Sequence, residues 1–207
     1  MTKLCHTKTQ PPLYYVHSES DLPSYGVEGS YGLAAGYLDS RRLRPIERDT
    51  WNNVFERRWQ DSCLSLAKGL HRMGADSFVI VPCSRADVFS RMHWSLRAEG
   101  FLELPGLIRK IGPTVSFGSK DQLYIARNTS LNIPHGLLNE VEVLAVCDDF
   151  AETGKTLFGL YALLSSVPLI AQKRIVLAAV GVSAELAEPS NYESLRSTLK
   201  VANIEEL

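Results

Sequence analysis

Asp148 and Asp149 stand side by side at the end of an apolar run, Val143-Leu144-Ala145-Val146-Cys147, and Thr153-Gly154-Lys155-Thr156 follows after Phe150-Ala151-Glu152. The run reads as a buried strand, and the residues from Leu157 onward read as an apolar helix. A turn from strand to helix gathers backbone N–H groups, here with two threonine hydroxyls, at a helix N-terminus where an anion is favoured. Two carboxylates beside such a cradle repel a bare phosphate unless they hold sugar hydroxyls or a metal ion. The pattern therefore points to a sugar phosphate.

Two other readings compete for these residues. A P-loop requires Gly-x-x-x-x-Gly-Lys-[Ser/Thr]. Here Asp149 stands five residues before Gly154, and the next apolar run, Ile175 to Val180, leads into Gly181-Val182 with no acid to hold a metal. A capped helix with the aspartates as ordinary turn residues explains each residue singly but not the combination. ATP binding separates the first alternative from a sugar-phosphate site, and the absence of any ligand separates the second.

From Val143 to Leu157 the chain resembles the ribose-phosphate loop of type I phosphoribosyltransferases: strand, acidic pair, a few small or apolar residues, then Thr-Gly-x-Thr. The resemblance implies an α/β fold with a parallel-sheet core flanked by helices. It also implies transfer of the phosphoribosyl group of phosphoribosyl pyrophosphate (PRPP) to a nitrogenous acceptor, with release of pyrophosphate and with Mg2+ as cofactor. Carried over residue by residue, Asp148 and Asp149 would bind the ribose hydroxyls and contact Mg2+, directly or through water. Ala151, Thr153, Gly154, Lys155 and Thr156 would hold the 5-phosphate, and Glu152 would act as a base toward the acceptor. Asp148 is one methylene shorter than the glutamate often found there, and Lys155 fills the variable place. The family also includes regulators on the same fold, so a non-catalytic PRPP or nucleotide sensor is the alternative.

That family carries a pyrophosphate loop after an early core strand. Order along the chain assigns this place to Cys83, Ser84 and Arg85, which follow the apolar segment 77–81. Read alone, Ser84 with Asp87 three residues on has capping-box form. A mobile loop is expected between Leu102 and His135, with Lys110, Lys120 and Arg127 as cations for pyrophosphate. Taken singly, each of these reads as a solvated surface charge. The stretch from Arg109 to Asn128 resembles the competence-related ComF branch, but the cysteine-rich N-terminal metal site of that branch has no counterpart here.

The elements that must position these residues are legible as patterns. The continuously apolar segments 77–81, 142–147 and 174–182 alternate with helices, as in a parallel sheet covered on both faces. Ligands of such sheets bind at the carboxyl ends of strands. Trp51, Phe55, Trp59, Cys63, Leu66, Ala67 and Leu70 predict a helix with Thr50 as N-cap, stopped at Met73-Gly74. Val88, Phe89, Met92 and Leu96 predict another, closed by Gly100. Leu107–Lys110 and Gln122–Ala126 are expected to form a hairpin, and Tyr192–Val201 a final helix. Residues 1–48, rich in Pro, Gly, Ser and Tyr, read as an N-terminal extension or hood with a short strand at Tyr14-Tyr15-Val16, and residues 49–207 as the phosphoribosyltransferase-like domain.

Composition narrows the partners. The chain has 207 residues, 45% of them hydrophobic, and a formal net charge of −1, so no bulk field draws it to nucleic acid or to a membrane surface. Arg41, Arg42, Arg44, Arg48, Arg57 and Arg58 are interleaved with acids, which makes a solvated face rather than a nucleic-acid patch. Cys5, Cys63, Cys83 and Cys147 lack zinc-site or disulfide spacing. No segment approaches the ~20 apolar residues that span a bilayer, and the start lacks an apolar leader. The expectation is a cytoplasmic protein acting on a small molecule, with a homodimer as the family's common form.

Overall fold

The computed structural model describes residues 4–18, 45–82, 86–110 and 129–187. The strands are β1 (Cys5–His6), β2 (Leu13–Ser18), β3 (Ser77–Ile80), β4 (Leu102–Glu103), β5 (Ile108–Lys110), β6 (Thr129–Leu131), β7 (Val143–Ala151) and β8 (Arg174–Val182). The helices are α1 (Pro45–Arg72), α2 (Ala86–Ala98), α3 (His135–Leu138), α4 (Lys155–Ser165), α5 (Pro168–Ala171) and α6 (Ala184–Ala187). Six strands form one sheet in the order β1-β2-β8-β7-β3-β4, all parallel except β1. β5 and β6 pair antiparallel as a separate ribbon.

The central strands β3, β7 and β8 are apolar on both sides, as parallel strands covered on both faces must be. Leu144 and Val146 of β7 enter the core on one face, while Ala145 and Cys147 enter the core on the other. α1 and α2 cover the second face through Trp59, Cys63, Leu66, Leu70, Met92 and Leu96. α4, α5 and α6 cover the first through Leu157, Leu160, Leu164, Ile170 and Leu186. A central strand buried on both faces has no polar side to alternate, which explains the continuous apolar runs.

α1 begins at Pro45, five residues before the expected Thr50 cap. Proline suits a first helical position, since its fixed φ is already helical and its missing N–H has no partner to lose. The helix ends as expected: Gly74 has φ +79°, its N–H donates to His71, and Ala75 N–H reaches back to Leu70. α2 ends the same way at Gly100, with φ +89° and Phe101 N–H donating to Leu96. Both are glycine-terminated Schellman ends, where an L side chain would be strained.

Residues 5–18 supply two strands to the main sheet, and Tyr14-Tyr15-Val16 lies in β2, parallel to β8. Leu4 packs so closely on α1 that a Cβ at Gly69 would come within 2.3 Å of it. In the ribbon Ile108–Lys110 pairs with Thr129–Leu131; the strand expected at 122–126 and the helix expected at 192–201 lie outside the described residues.

One row of the sheet is irregular. The ladders are continuous except at Val16, Val180 and Asp149, which are skipped in both pairings of β8. Beyond that row the side-chain alternation changes phase. Val16 packs toward α1, and the next residue, His17, also reaches α1, its Nε2 lying 2.9 Å from Ser62 Oγ. On β7, Phe150 packs with the α1 core and Ala151 with the α4 core, the reverse of what strict alternation from Cys147 requires.

Candidate functional site

The sheet has a point where the chain changes direction. From β3 the next strand, β4, lies outward on one side, and from β7 the next strand, β8, lies outward on the other. β3 and β7 are neighbours, so this is the place where a ligand crevice is expected in an open parallel sheet. One segment leaving their carboxyl ends starts at Val81-Pro82. The other is Glu152-Thr153-Gly154, which leads into α4.

β7 is longer than its apolar run. It continues through Asp148, Asp149 and Phe150 to Ala151, where the sequence suggested an immediate turn. β3 stops at Ile80, and the last contact it makes through its continuation is Val81 N–H donating to Cys147 C=O at 2.8 Å. Asp149 projects its backbone N–H in the same direction two residues on, past the end of β3. The Asp148 side chain supplies the acceptor there, with Oδ1 taking that N–H at 2.9 Å, and Asp149 Oδ1 takes the Phe150 N–H at 2.7 Å. Both aspartates are only 8% exposed. They are therefore not the loosely held surface carboxylates that a strand end suggests. Each satisfies a neighbouring backbone N–H at the carboxyl end of the sheet.

The Thr153-Gly154-Lys155-Thr156 segment forms the N-terminus of α4. Gly154 is the N-cap with φ +70° and has no side chain to cap the first turn, but the Lys155 N–H donates to Thr153 Oγ1 at 3.4 Å. The first turn carries no acid and begins with Lys155, the opposite of the charge that a helix N-terminus favours. First-turn N–H groups beside a lysine complement a bound anion. Ala151 is buried, Thr153, Lys155 and Thr156 are half-buried, and the Glu152 side chain is exposed.

Packing also demands a glycine at 154. A Cβ there would lie 2.5 Å from Phe158 and 3.4 Å from Leu186. It would enter the core under α4, so Gly154→Val is a lesion of the fold.

Ser183, which the sequence reading passed over, closes the back of the loop. It directly follows β8, and its N–H donates to Ala151 C=O at 3.1 Å. Its Oγ donates to Glu152 C=O at 2.5 Å and accepts the Leu186 N–H at 3.1 Å. The only signal was a serine three residues before the second apolar residue of a short helix. His17 and Ser62 were missed too, since their pairing joins segments 45 residues apart.

Cys83, Ser84, Arg85, Lys120 and Arg127 lie outside the described residues, and Lys110 is described at its backbone alone, where it ends β5 opposite Thr129. The structure therefore brings together Asp148, Asp149 and residues 151–156. Cys63 and Cys147 are buried in the α1 core beneath the site. Burial pushes both thiols far above their ordinary range, reinforced at Cys63 by Cys147 and Asp149 and at Cys147 by Asp148. Both sulfurs are thus neutral packing groups.

Among the described residues, no three of His, Cys, Asp and Glu cluster as a metal cage. Mg2+ typically uses only one or two carboxylates and completes its shell with phosphate oxygens and water. Asp148 and Asp149 fit that demand. No described helix is long and apolar enough to cross a membrane. The chain matches no family model and no curated protein.

Proposed function

We propose that the protein binds PRPP or a related ribose 5-phosphate compound with Mg2+, and transfers the phosphoribosyl group to a nitrogenous acceptor with release of pyrophosphate. The observation that carries this reading is the adjacency at the sheet's switch point. Two buried carboxylates on β7 lie within six residues of a helix N-terminus that begins with a lysine. The carboxylates suit ribose hydroxyls, and the α4 end suits a phosphate monoester.

In the proposed reaction the bond from C1 to the pyrophosphate oxygen breaks, a bond from the acceptor nitrogen to C1 forms, and the acceptor nitrogen gives up a proton. Charge accumulates on the leaving pyrophosphate and on the ribose ring, so the work of the chain is orientation and charge stabilisation. Asp148 and Asp149 fix the ring through its hydroxyls and place negative charge near the electron-poor ring. The α4 N-terminus anchors the 5-phosphate remote from the reacting bond, where binding energy can hold C1 in position. Mg2+, when bound, neutralises charge on the pyrophosphate. The Glu152 side chain is exposed and is the residue to test for proton acceptance.

Calorimetric titration of PRPP with Mg2+, with ribose 5-phosphate and ATP in parallel, tests the reading. Saturable binding of PRPP and ribose 5-phosphate supports it, and pyrophosphate release with a nitrogenous acceptor then separates an enzyme from a sensor. Binding of ATP alone, or of nothing, overturns it.

A further inference from the structure

We infer that Ser183 is a positioning residue of the anion site, turning two successive peptide groups so that their N–H bonds face the crevice. The inference rests on the sugar-phosphate reading above and adds to it the residue that organises the cradle.

The argument is geometric. A trans peptide is planar, so the C=O of one residue and the N–H of the next point in opposite directions. Ser183 N–H takes the Ala151 carbonyl at 3.1 Å. That bond continues the β7–β8 ladder beyond Ala151↔Val182, and it turns the Glu152 N–H away from β8, toward the β3 side. In a regular strand the next carbonyl, that of Glu152, would point the other way, toward β3. It does not. Ser183 Oγ donates to it at 2.5 Å and holds it on the β8 side. The Thr153 N–H is thereby turned toward β3 as well.

Two consecutive N–H groups on one side form a concavity for an anion, and the side they face is the crevice between β3 and β7. The Ser183 hydroxyl is itself fixed, because its oxygen accepts the Leu186 N–H at 3.1 Å and the residue is 8% exposed. A carbonyl left pointing into the crevice would repel the phosphate that the α4 N-terminus attracts. Ser183 removes that carbonyl and replaces it with a donor.

The two bonds are separable, which gives the test. Ser183→Ala deletes the hydroxyl but keeps the backbone N–H, so Thr153 loses its orientation and Glu152 keeps it. Amide NMR spectra of the full chain are followed while inorganic phosphate, and separately ribose 5-phosphate, is added. In the wild type both the Glu152 and Thr153 amides should shift. In Ser183→Ala the Thr153 shift should vanish, the Glu152 shift should persist, and affinity for both ligands should fall about tenfold, on the scale of one charge-assisted hydrogen bond. Ser183→Thr, which keeps the hydroxyl, should restore both. Should the alanine variant not fold, Ser183→Gly makes the same deletion with a tolerated helix cap.

Equal affinities and an unchanged Thr153 shift in the folded deletion variant would overturn the assignment while leaving the sugar-phosphate reading intact. Wild-type protein that responds to neither ligand would overturn both.

Discussion

At the scale of single residues, the structural task of the acidic pair can be separated by substitution from the ligand role proposed for it. Asp148 and Asp149 each accept a neighbouring backbone N–H while buried. Asparagine keeps an acceptor oxygen and loses the charge, whereas alanine loses both. The double change Asp148→Asn with Asp149→Asn should therefore leave the urea midpoint nearly unchanged. It should weaken ribose 5-phosphate binding by about 100-fold or more, given roughly 1.5–3 kcal/mol for each charged hydrogen bond. Asp149→Ala should in addition destabilise the fold by about 1–3 kcal/mol, the penalty of an unsatisfied buried donor. A double asparagine variant that folds and still binds at wild-type strength excludes the carboxylates from ribose recognition. Gly154 behaves oppositely. Its positive φ and the 2.5 Å approach to Phe158 mean that even Gly154→Ala strains backbone and core together. A loss of about 2–4 kcal/mol is expected from strain and overpacking, read as a lower urea midpoint in unliganded protein. An unchanged midpoint would show that α4 can shift to accept the methyl group.

At the scale of elements, the strands that build the core were legible because burial on both faces writes itself as an unbroken apolar run. β3, β7 and β8 all follow that rule, and α1 and α2 follow helical spacing with a terminating glycine. What was not legible depends on partners distant in sequence. The extension of β7 through two aspartates was hidden because charged residues read as a strand end. It becomes possible only because β8 continues alongside, pairing Asp148 with Ala179 and Ala151 with Val182. Ser183 was invisible for the same reason, since Glu152, whose carbonyl it binds, lies 31 residues away. The start of α1 was misplaced because Thr50 is a good cap by type, yet Pro45 opens the helix. The opposite end of β7 is held by Asp76, together with Ser77 Oγ, which donates to the Val143 carbonyl at 3.3 Å. Asp76 accepts the N–H groups of Glu142 and Val143 at 2.8–3.3 Å. This lies at the amino end of the strand, remote from the crevice. Asp76→Ala should thus lower stability by about 1–3 kcal/mol and leave ribose 5-phosphate affinity as it was. A change in affinity comparable to the loss of stability would mean that β7 transmits disorder along its whole length.

At the scale of the whole molecule, one sheet separates two apolar cores, and the carboxylates sit where the sheet ends between them. The α1 core contains two thiols, and this has a consequence for stability as a function of pH. Cys63 and Cys147 are fully buried, and burial, reinforced by the negative groups beside them, raises both far above the ordinary thiol range. In the unfolded chain a thiol ionises near ~8.5. Above that pH the unfolded state sheds protons that the native state keeps, so the unfolded state binds fewer protons and stability falls as pH rises. The stabilisation is whole below the unfolded value and is lost on the way up to the folded one. Each thiol should contribute about 1.4 kcal/mol per pH unit in that window, and the pair about 2.7. Urea unfolding between pH 7 and 10 measures the slope, and Cys63→Ala or Cys147→Ala should each reduce it by the share of one thiol. Lysine and tyrosine titrate in the same range but are common to wild type and variants, so the difference in slope isolates the sulfurs. Equal slopes in all three proteins would mean that the unfolded chain also shields its thiols, or that water reaches the core beneath Asp149. In the second case the carboxylates would lie in a wetter site than their exposure indicates, and their hold on ribose hydroxyls would weaken accordingly.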